Sequence, residues 1–445
     1  MNTLKSSFKN LLYYPSAILG ILVVFLLIFT AIYAVVKIPY QEAIRLWRGG
    51  EEVWYQNPKF APPAWINLFS KKKYAESFSV RTSDGTMSKN VTPGKEGTST
   101  MEVSYTFDFN YDYYPQDMIL YFTSKYSEKQ PFISVEWLTP DGRKIRIVNT
   151  ALSSRQTYRF SQDAKLQTKL KTNDVISALF SDPKTGDLIR GKYQLLITGA
   201  TFEPDSDINP EFVFHGQVYG LAGTDQARRD LIVPLLWGAP VALAFGLIAS
   251  LGTSVLTMII AAVGTWYGGW VDELIQRITE INLVLPFLSI LIMIGTFYSR
   301  SIWVILGATI ALSIFTGAIK SYRSIFVQVK ESMYIEAARA YGASSPRIVF
   351  LYLIPRMIPL LIPGLVSAVP AFVFLEASLA VLGLGDPVLP TWGKIIQDAN
   401  SNGALYRGYY YWILEPATLL MITGLGFAML GFALDRIFNP KLREV

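Results

Sequence analysis

Residues 334–359 read YIEAARAYGASSPRIVFLYLIPRMIP, and they lie between two strongly apolar segments. A connection between two membrane helices needs only a few polar residues and a turn. This one reads as helix, glycine, helix. Residues 331–341 are good helix formers, and Gly342 is placed to end that helix as a left-handed C′ residue. Ser344 or Ser345 is placed to cap the next helix, with Pro346 at its first position, where a missing N–H costs little. The pair Ala337 and Ala338 removes bulk from one face, and Met333, Tyr334 and Tyr341 offer apolar contact beside it. The residues alone leave two readings open: a surface hairpin packed on its own helices, or a docking element for a partner.

The flanking apolar runs set the topology. Residues 16–36 carry no charge, which is long enough for a hydrocarbon core of about 30 Å. Lys5 and Lys9 precede this run and no small-residue cleavage site follows, so a retained first span is expected rather than a signal peptide. No charge occurs between Asp230 and Asp272, room for one long span with an interfacial lead-in. Further spans are expected at residues 283–298, 302–319, 357–382 and 412–434, six in all. One set of connections carries Arg277, then Lys320, Arg323, Lys330, Arg339, Arg347 and Arg356, and the C-terminus adds Arg436, Lys441 and Arg443. The opposite short loops have only Arg300, Lys394 and Arg407. The positive-inside bias therefore predicts both termini and the hairpin on the cytoplasmic side.

Composition agrees with a mixed chain. Of 445 residues 51% are hydrophobic and 17% charged, with a mean hydropathy of +0.30. That is too apolar for an ordinary soluble protein and too charged for membrane alone. Cysteine is absent, which excludes disulfides, thiolate catalysis and cysteine metal sites. The single histidine, His215, excludes a histidine-rich metal site. The net charge of +6 points to cytoplasmic loops rather than nucleic acid.

Residues 40–219 are different in kind: polar, strand-like and expected outside the membrane. Val103, Tyr105, Phe107 and Phe109 share one face at period two, as do Tyr193, Leu195 and Ile197. FISVEWLTPDGRKIRIV predicts a hairpin around Pro140, Asp141 and Gly142. The pattern predicts a β-sandwich with an aromatic core. Residues 83–100, rich in Gly, Ser and Thr, are expected to be a mobile loop, and Asn90 heads a sequon within it.

EAARAYGASSPRIVFLYLIP resembles the EAA loop of ABC-importer permeases at Glu336, Ala337, Ala338, Gly342 and Pro355. EASLAVLGLGDPVLPTWGKIIQDA, residues 376–399, resembles a motif of the dipeptide/oligopeptide permease subfamily, which also handles nickel, and contains Glu376, Gly383, Gly385, Trp392 and Gly393. GTDQARRD is similar to that subfamily's Gly-Thr-Asp motif and contains Gly223, Thr224, Asp225, Arg229 and Asp230. GTWYGGWVDE and LDRIFNPKLR resemble two further family stretches, and NPKFAPPAWIN is similar to the segment that normally lies just before Gly-Thr-Asp. The order fits a C-type subunit. Tyr352, Arg228 and Pro240 stand where the subfamily usually has His, Gly and Arg.

The resemblance implies a mostly α membrane protein, with six transmembrane helices of the type I ABC-importer permease fold. An extracellular β-sandwich-like domain is inserted between helices 1 and 2. The expected domains are residues 1–39, 40–222 and 223–445, with a coupling loop at 320–356. It also implies a second permease, two ATPase subunits, an external solute-binding protein, and membrane lipid around the spans. ATP and Mg would sit on the ATPase subunits, since this chain has no P-loop and no catalytic or metal site of its own. The solute is expected to be a peptide, with oligosaccharides as the alternative and a membrane receptor as the remote one. The β-rich domain is expected to dock the binding protein or brace the complex. Glu376 is expected to pack helices, with a place on the transport path as the alternative. Asp386 and Asp398 are expected to be loop and interfacial residues, and residues 406–412 to form an aromatic belt. Gly246, Gly252 and Gly264 are expected either to admit the partner permease or to be glycines a span simply tolerates.

Overall fold

A computed structural model describes residues 15–438 apart from Glu96. Lys5, Lys9, Lys441, Arg443 and the end of the C-terminal motif lie outside the described residues. The chain divides into two compact units, Gly49–Ile232 and the remainder on either side of it.

The helical unit begins with α1, Pro15–Lys37, and a short amphipathic helix α2, Tyr40–Arg48. After the other unit come α3 (Ile232–Tyr267), α4 (Gly269–Val284), α5 (Phe287–Phe297), α6 (Ile302–Ile314) and α7 (Gly317–Lys330). Then follow α8 (Met333–Ala340), α9 (Ser345–Leu384), α10 (Trp392–Ser401) and α11 (Tyr411–Phe438). Four of these, α1, α3, α9 and α11, are long and apolar enough to cross a membrane singly.

The expected spans at 283–298 and 302–319 are not continuous helices. The first bends by 79° between α4 and α5, and the second by 48° between α6 and α7. Pro286, which cannot donate a helical N–H, stands at the first break. At the second, side chains take up the freed carbonyls. Asn282 Nδ2 donates to Leu312 O and Phe315 O, both at 2.8 Å, and the Thr257 hydroxyl donates to Ile314 O at 2.9 Å. Counting each bent pair as one span gives six.

Small residues set the close approaches within this unit. A side chain on Gly20 would meet Leu430 N at 2.8 Å, and one on Gly426 would meet Val23 Cγ1 at 2.4 Å, so α1 and α11 meet nearly backbone to backbone. The three glycines expected to face a partner permease are filled from within this chain instead. A Cβ at Gly246 would lie 2.6 Å from Val373, at Gly252 3.0 Å from Ile310, and at Gly264 2.8 Å from Ile275.

Among the described residues the other unit holds nine strands. Sheet order β1-β9-β4-β7 joins Phe78–Arg81, Asp207–His215, Asp117–Lys125 and Arg155–Arg159. Order β2-β3-β8-β5-β6 joins Ser88–Pro93, Ser99–Phe109, Gly191–Thr201, Phe132–Leu138 and Lys144–Ala151. All pairings are antiparallel. The two inner faces close on one core holding Val103, Phe109, Trp137, Tyr193, Leu195 and Ile197 from one sheet and Leu120, Phe212 and Phe214 from the other. Tyr105 and Phe107 pack against it. Rings meet across the sheets, as Trp137 with Phe212 at 6.4 Å and Phe78 with Phe107 at 5.4 Å. The expected hairpin joins β5 to β6 with Leu138 opposite Lys144 and Gly142 at φ +85°.

Residues 83–100 are not one loop. They contain β2, an edge strand paired with β3 from Ser88↔Ser104 to Pro93↔Ser99. Its outward residues are polar on an edge position, which is why composition alone read as a loop. Asn90 lies exposed on this strand.

Candidate functional site

The hairpin is built by burying one face and leaving the other bare. On α8, Ile335 is fully buried and Ala338 nearly so, in a cluster with Phe326, Ile348, Val349, Leu353 and the α3 residues Met258, Ala261 and Ala262. Arg339 stacks its guanidinium over Trp266 at 4.5 Å, and Lys330 Nζ donates to Thr265 O and Trp266 O at the end of α3. Below the same helix end, Arg323 forks onto Asp272, with Nη2–Oδ2 at 2.5 Å, joining α7 to α4. The hairpin base is therefore fixed to three helices.

The outward face carries Glu336 and Ala337, both exposed, with Met333 86% and Tyr341 92% exposed beside them. Gly342 takes φ +79° in open space, so the chain can reverse only with a residue that tolerates the left-handed region. Ser344 is the N-cap by backbone conformation, but no side-chain hydrogen bond caps that turn, contrary to the expected serine cap. Pro355 follows a π-helical turn, Val349–Leu353, whose wider winding absorbs the bond that proline cannot make. Tyr352 packs half-buried against the same cluster.

The second motif closes the helical unit from inside. Trp392 is buried, and its indole N–H donates to Leu235 O at 2.8 Å. Its ring occupies the space over Gly238, where a Cβ would lie 2.2 Å away. Gly393 abuts Ala377, with 2.6 Å from a Cβ to its Cα, so Gly393 and the residue after Glu376 are one contact. Gly383, at φ +91°, breaks α9 within its last π-turn, and Gly385 packs on Ala380. Glu376 is buried. Asp386 lies in a loop, as expected, and accepts from Ile302 N at 2.9 Å at the start of α6 and from Val388 N and Leu389 N. Asp398 pairs with Lys394 at 3.4 Å. Tyr406 is exposed as a belt requires, but Tyr411 and Trp412 are buried.

The Gly-Thr-Asp stretch behaves differently again. It lies in the β-rich unit, not at the head of the helical one as expected from the 222/223 boundary. The reason is a backbone clasp with residues 57–65, which sit more than 150 positions earlier. Thr224 N donates to Ala61 O at 2.8 Å, and its hydroxyl donates to Pro58 O and accepts from Ala61 N. Phe60 N donates to Asp225 O, Tyr219 N to Pro62 O, and Ala64 N to Gly220 O. Asp225, fully buried, accepts from Ala227 N, Arg229 N and Arg229 Nε, the last at 2.5 Å. Asp230 accepts from Ile232 N at the start of α3, and burial pushes its carboxyl up to about 6. Gly223 lies at φ +72°. The two stretches that the resemblance places side by side are thus side by side in space, and the sandwich is threaded between them.

Arg228 also stands at a left-handed position, φ +64°. A glycine there is unstrained, whereas Arg228 carries a cost of about 1–2 kcal/mol. Its guanidinium donates to Asn57 O at 2.5 Å, faces the His215 ring at 3.3 Å and lies 3.6 Å from Glu51. Asn57 Nδ2 in turn donates to Arg228 O. Burial, then the Arg228 charge, holds the His215 imidazole down to about 3, so it is neutral. Sequence reasoning did not single out Ile335, Trp266, Asn57 or Asn282; the first three lie inside stretches that carried a motif, and Asn282 had no such signal.

The family described as binding-protein-dependent transport system inner membrane component matches residues 253–444, all within the helical unit. The chain is 30% identical to the oligopeptide transport system permease protein OppC of Bacillus subtilis (strain 168), over 50% of this chain and 72% of that protein. It is also 30% identical to OppC of Escherichia coli (strain K12), again over 50% and 72%. To the dipeptide transport system permease protein DppC of Bacillus subtilis (strain 168) it is 28% identical, over 50% and 69%. The chain belongs to this family of ABC-transporter permease subunits.

Proposed function

We propose that the chain is the C-type permease subunit of an ATP-driven peptide importer. The observation that carries this is the hairpin: a helix anchored by Ile335 and Ala338 that presents Met333, Tyr341, Glu336 and Ala337 outward, exposed among the described residues. Exposed aromatic and Met side chains around a rigid small-residue face are what a partner's cleft takes up. The similarity to oligopeptide and dipeptide permeases supplies the solute class. The partners are a second permease, two ATPase subunits that hold ATP and Mg, and an external solute-binding protein. The hairpin faces the cytoplasm with both termini, and the β-rich unit lies outside as a dock or brace for the binding protein. The chain itself hydrolyses no ATP. Closure of the ATPase dimer moves the hairpin, and the arrangement of spans changes with it because the two states contact the ATPases differently.

The test is co-purification of the assembled complex, with ATP-driven uptake of peptide in proteoliposomes. Glu336→Arg and Gly342→Pro are expected to uncouple uptake from ATP hydrolysis or to release the ATPase subunits. Unchanged assembly and uptake in both variants would contradict the coupling role. Replacing residues 70–214 by a short Gly/Ser linker is expected to weaken binding-protein affinity. Full transport and affinity after that deletion would contradict the docking role.

A further inference from the structure

The two helix breaks in the helical unit meet at one cavity. It measures about 410 Å³, within the range of roughly 300–1,000 Å³ typical of small-ligand sites. Asn282 at the first break, Ser313 and Thr316 at the second, and Ala371 and Phe372 on α9 line it. Non-helical backbone at membrane depth is tolerated only where protein buries it or where it lines a water-filled space. Here the break is deliberately satisfied: Asn282 and Thr257 take three carbonyls that the interrupted helix leaves over. The chain has thus been built to keep α6 and α7 apart at this point, and what the interruption creates is the cavity. Discontinuous helices that bring polar groups to a membrane cavity are the recurrent form of a transport-path binding site.

We propose that this cavity is a subsite for the peptide main chain on the transport path, and this rests on the importer reading above. The polar groups are neutral: the Asn282 carboxamide oxygen, its Nδ2 being committed to the break, accepts from an amide N–H, and the Ser313 and Thr316 hydroxyls can donate to a C=O or accept from an N–H. Among the described residues no charged side chain lines it, so it selects neither peptide terminus nor a charged side chain. Leucines and Phe372 make the rest of the wall apolar and adaptable. The subsite accordingly takes an uncharged stretch of extended peptide, and it is tolerant of sequence.

Because this chain has no cysteine, a single introduced thiol is the only one on it, and labelling is read on this chain after the subunits are separated. The experiment uses the full importer in proteoliposomes, with Ser313→Cys or Thr316→Cys, a charged membrane-impermeant methanethiosulfonate, and trialanine as the probe. Both thiols are expected to react from water, and trialanine at ten times its Kd is expected to slow the reaction by roughly tenfold. Ala371→Trp, which fills the cavity, is expected to lower trialanine uptake at least tenfold while the complex still assembles. Reaction only with a lipid-soluble uncharged reagent, or no protection while the same vesicles import trialanine, overturns the subsite. Failure of the wild-type complex to import any peptide overturns the importer reading and the subsite with it.

Discussion

Two stretches of this chain resemble family motifs equally well, and the structure uses them in opposite ways. The hairpin from Met333 to Gly342 leaves Met333, Glu336, Ala337 and Tyr341 bare and spends only Ile335, Ala338 and Arg339 on its own chain. The stretch from Gly223 to Asp230 leaves almost nothing bare. Thr224, Asp225, Arg228 and Arg229 are buried, and their polar atoms bind residues 57–61 or one another. The first motif is left open to solvent, where the proposed importer would seat another subunit, and the second is satisfied by a distant part of the same chain. A motif match therefore does not say who the partner is; the exposure of its side chains does.

The largest expected effect falls on the clasp. Asp225→Ala removes a buried carboxylate that accepts from Ala227 N, Arg229 N and Arg229 Nε, and is expected to cost about 3–5 kcal/mol in thermal unfolding of the full chain. A loss below 1 kcal/mol would mean that the clasp is not a structural element. Tyr341→Ala should leave unfolding unchanged, since the side chain touches little, but weaken ATPase-subunit binding by about 2 kcal/mol, roughly thirtyfold, in a titration of the solubilised complex. Equal loss of stability would remove the contrast between the two motifs.

Acidification sharpens the contrast within the clasp. His215 has a folded value of about 3 against 6.5 unfolded, so the unfolded chain takes up the proton first. Its contribution is complete above pH 6.5 and declines as pH falls toward 3, by about 2 kcal/mol at pH 5. Asp230 has the opposite sign: with a folded value of about 6 against 3.8, its burial penalty is full above pH 6 and relieved as pH falls toward 4. His215→Gln should therefore flatten the loss on acidification, and Asp230→Asn should steepen the net loss. Unfolding measured from pH 7 to 4 separates them, and identical slopes in all three chains would contradict these assignments. Smallest is the effect of backbone strain: Arg228→Ala should be less stable than Arg228→Gly by about 1 kcal/mol, because only glycine accepts φ +64° freely.

Much of this was legible in the sequence where one residue type serves one purpose. The left-handed Gly342, the period-two faces of β3 and β8, and the turn at Gly142 all follow from local chemistry. The clasp was half legible: its two stretches each matched, but their meeting depends on a fold closing between them. What was illegible depends on distant neighbours. Gly246, Gly252 and Gly264 could not name which helix approaches them, and Trp412 could not be told from an interfacial tryptophan. The breaks at Pro286 and Thr316 sit inside apolar runs, where hydropathy sees a continuous span. β2 read as a loop because an edge strand with polar side chains has no buried face of its own.

The most direct measurement is amide hydrogen exchange on the permease complex with and without its ATPase subunits. The account predicts new protection at residues 333–342 when the ATPases bind and no change at residues 57–61 or 223–231, which are already paired within the chain. Protection gained in the clasp, or none gained in the hairpin, would contradict it.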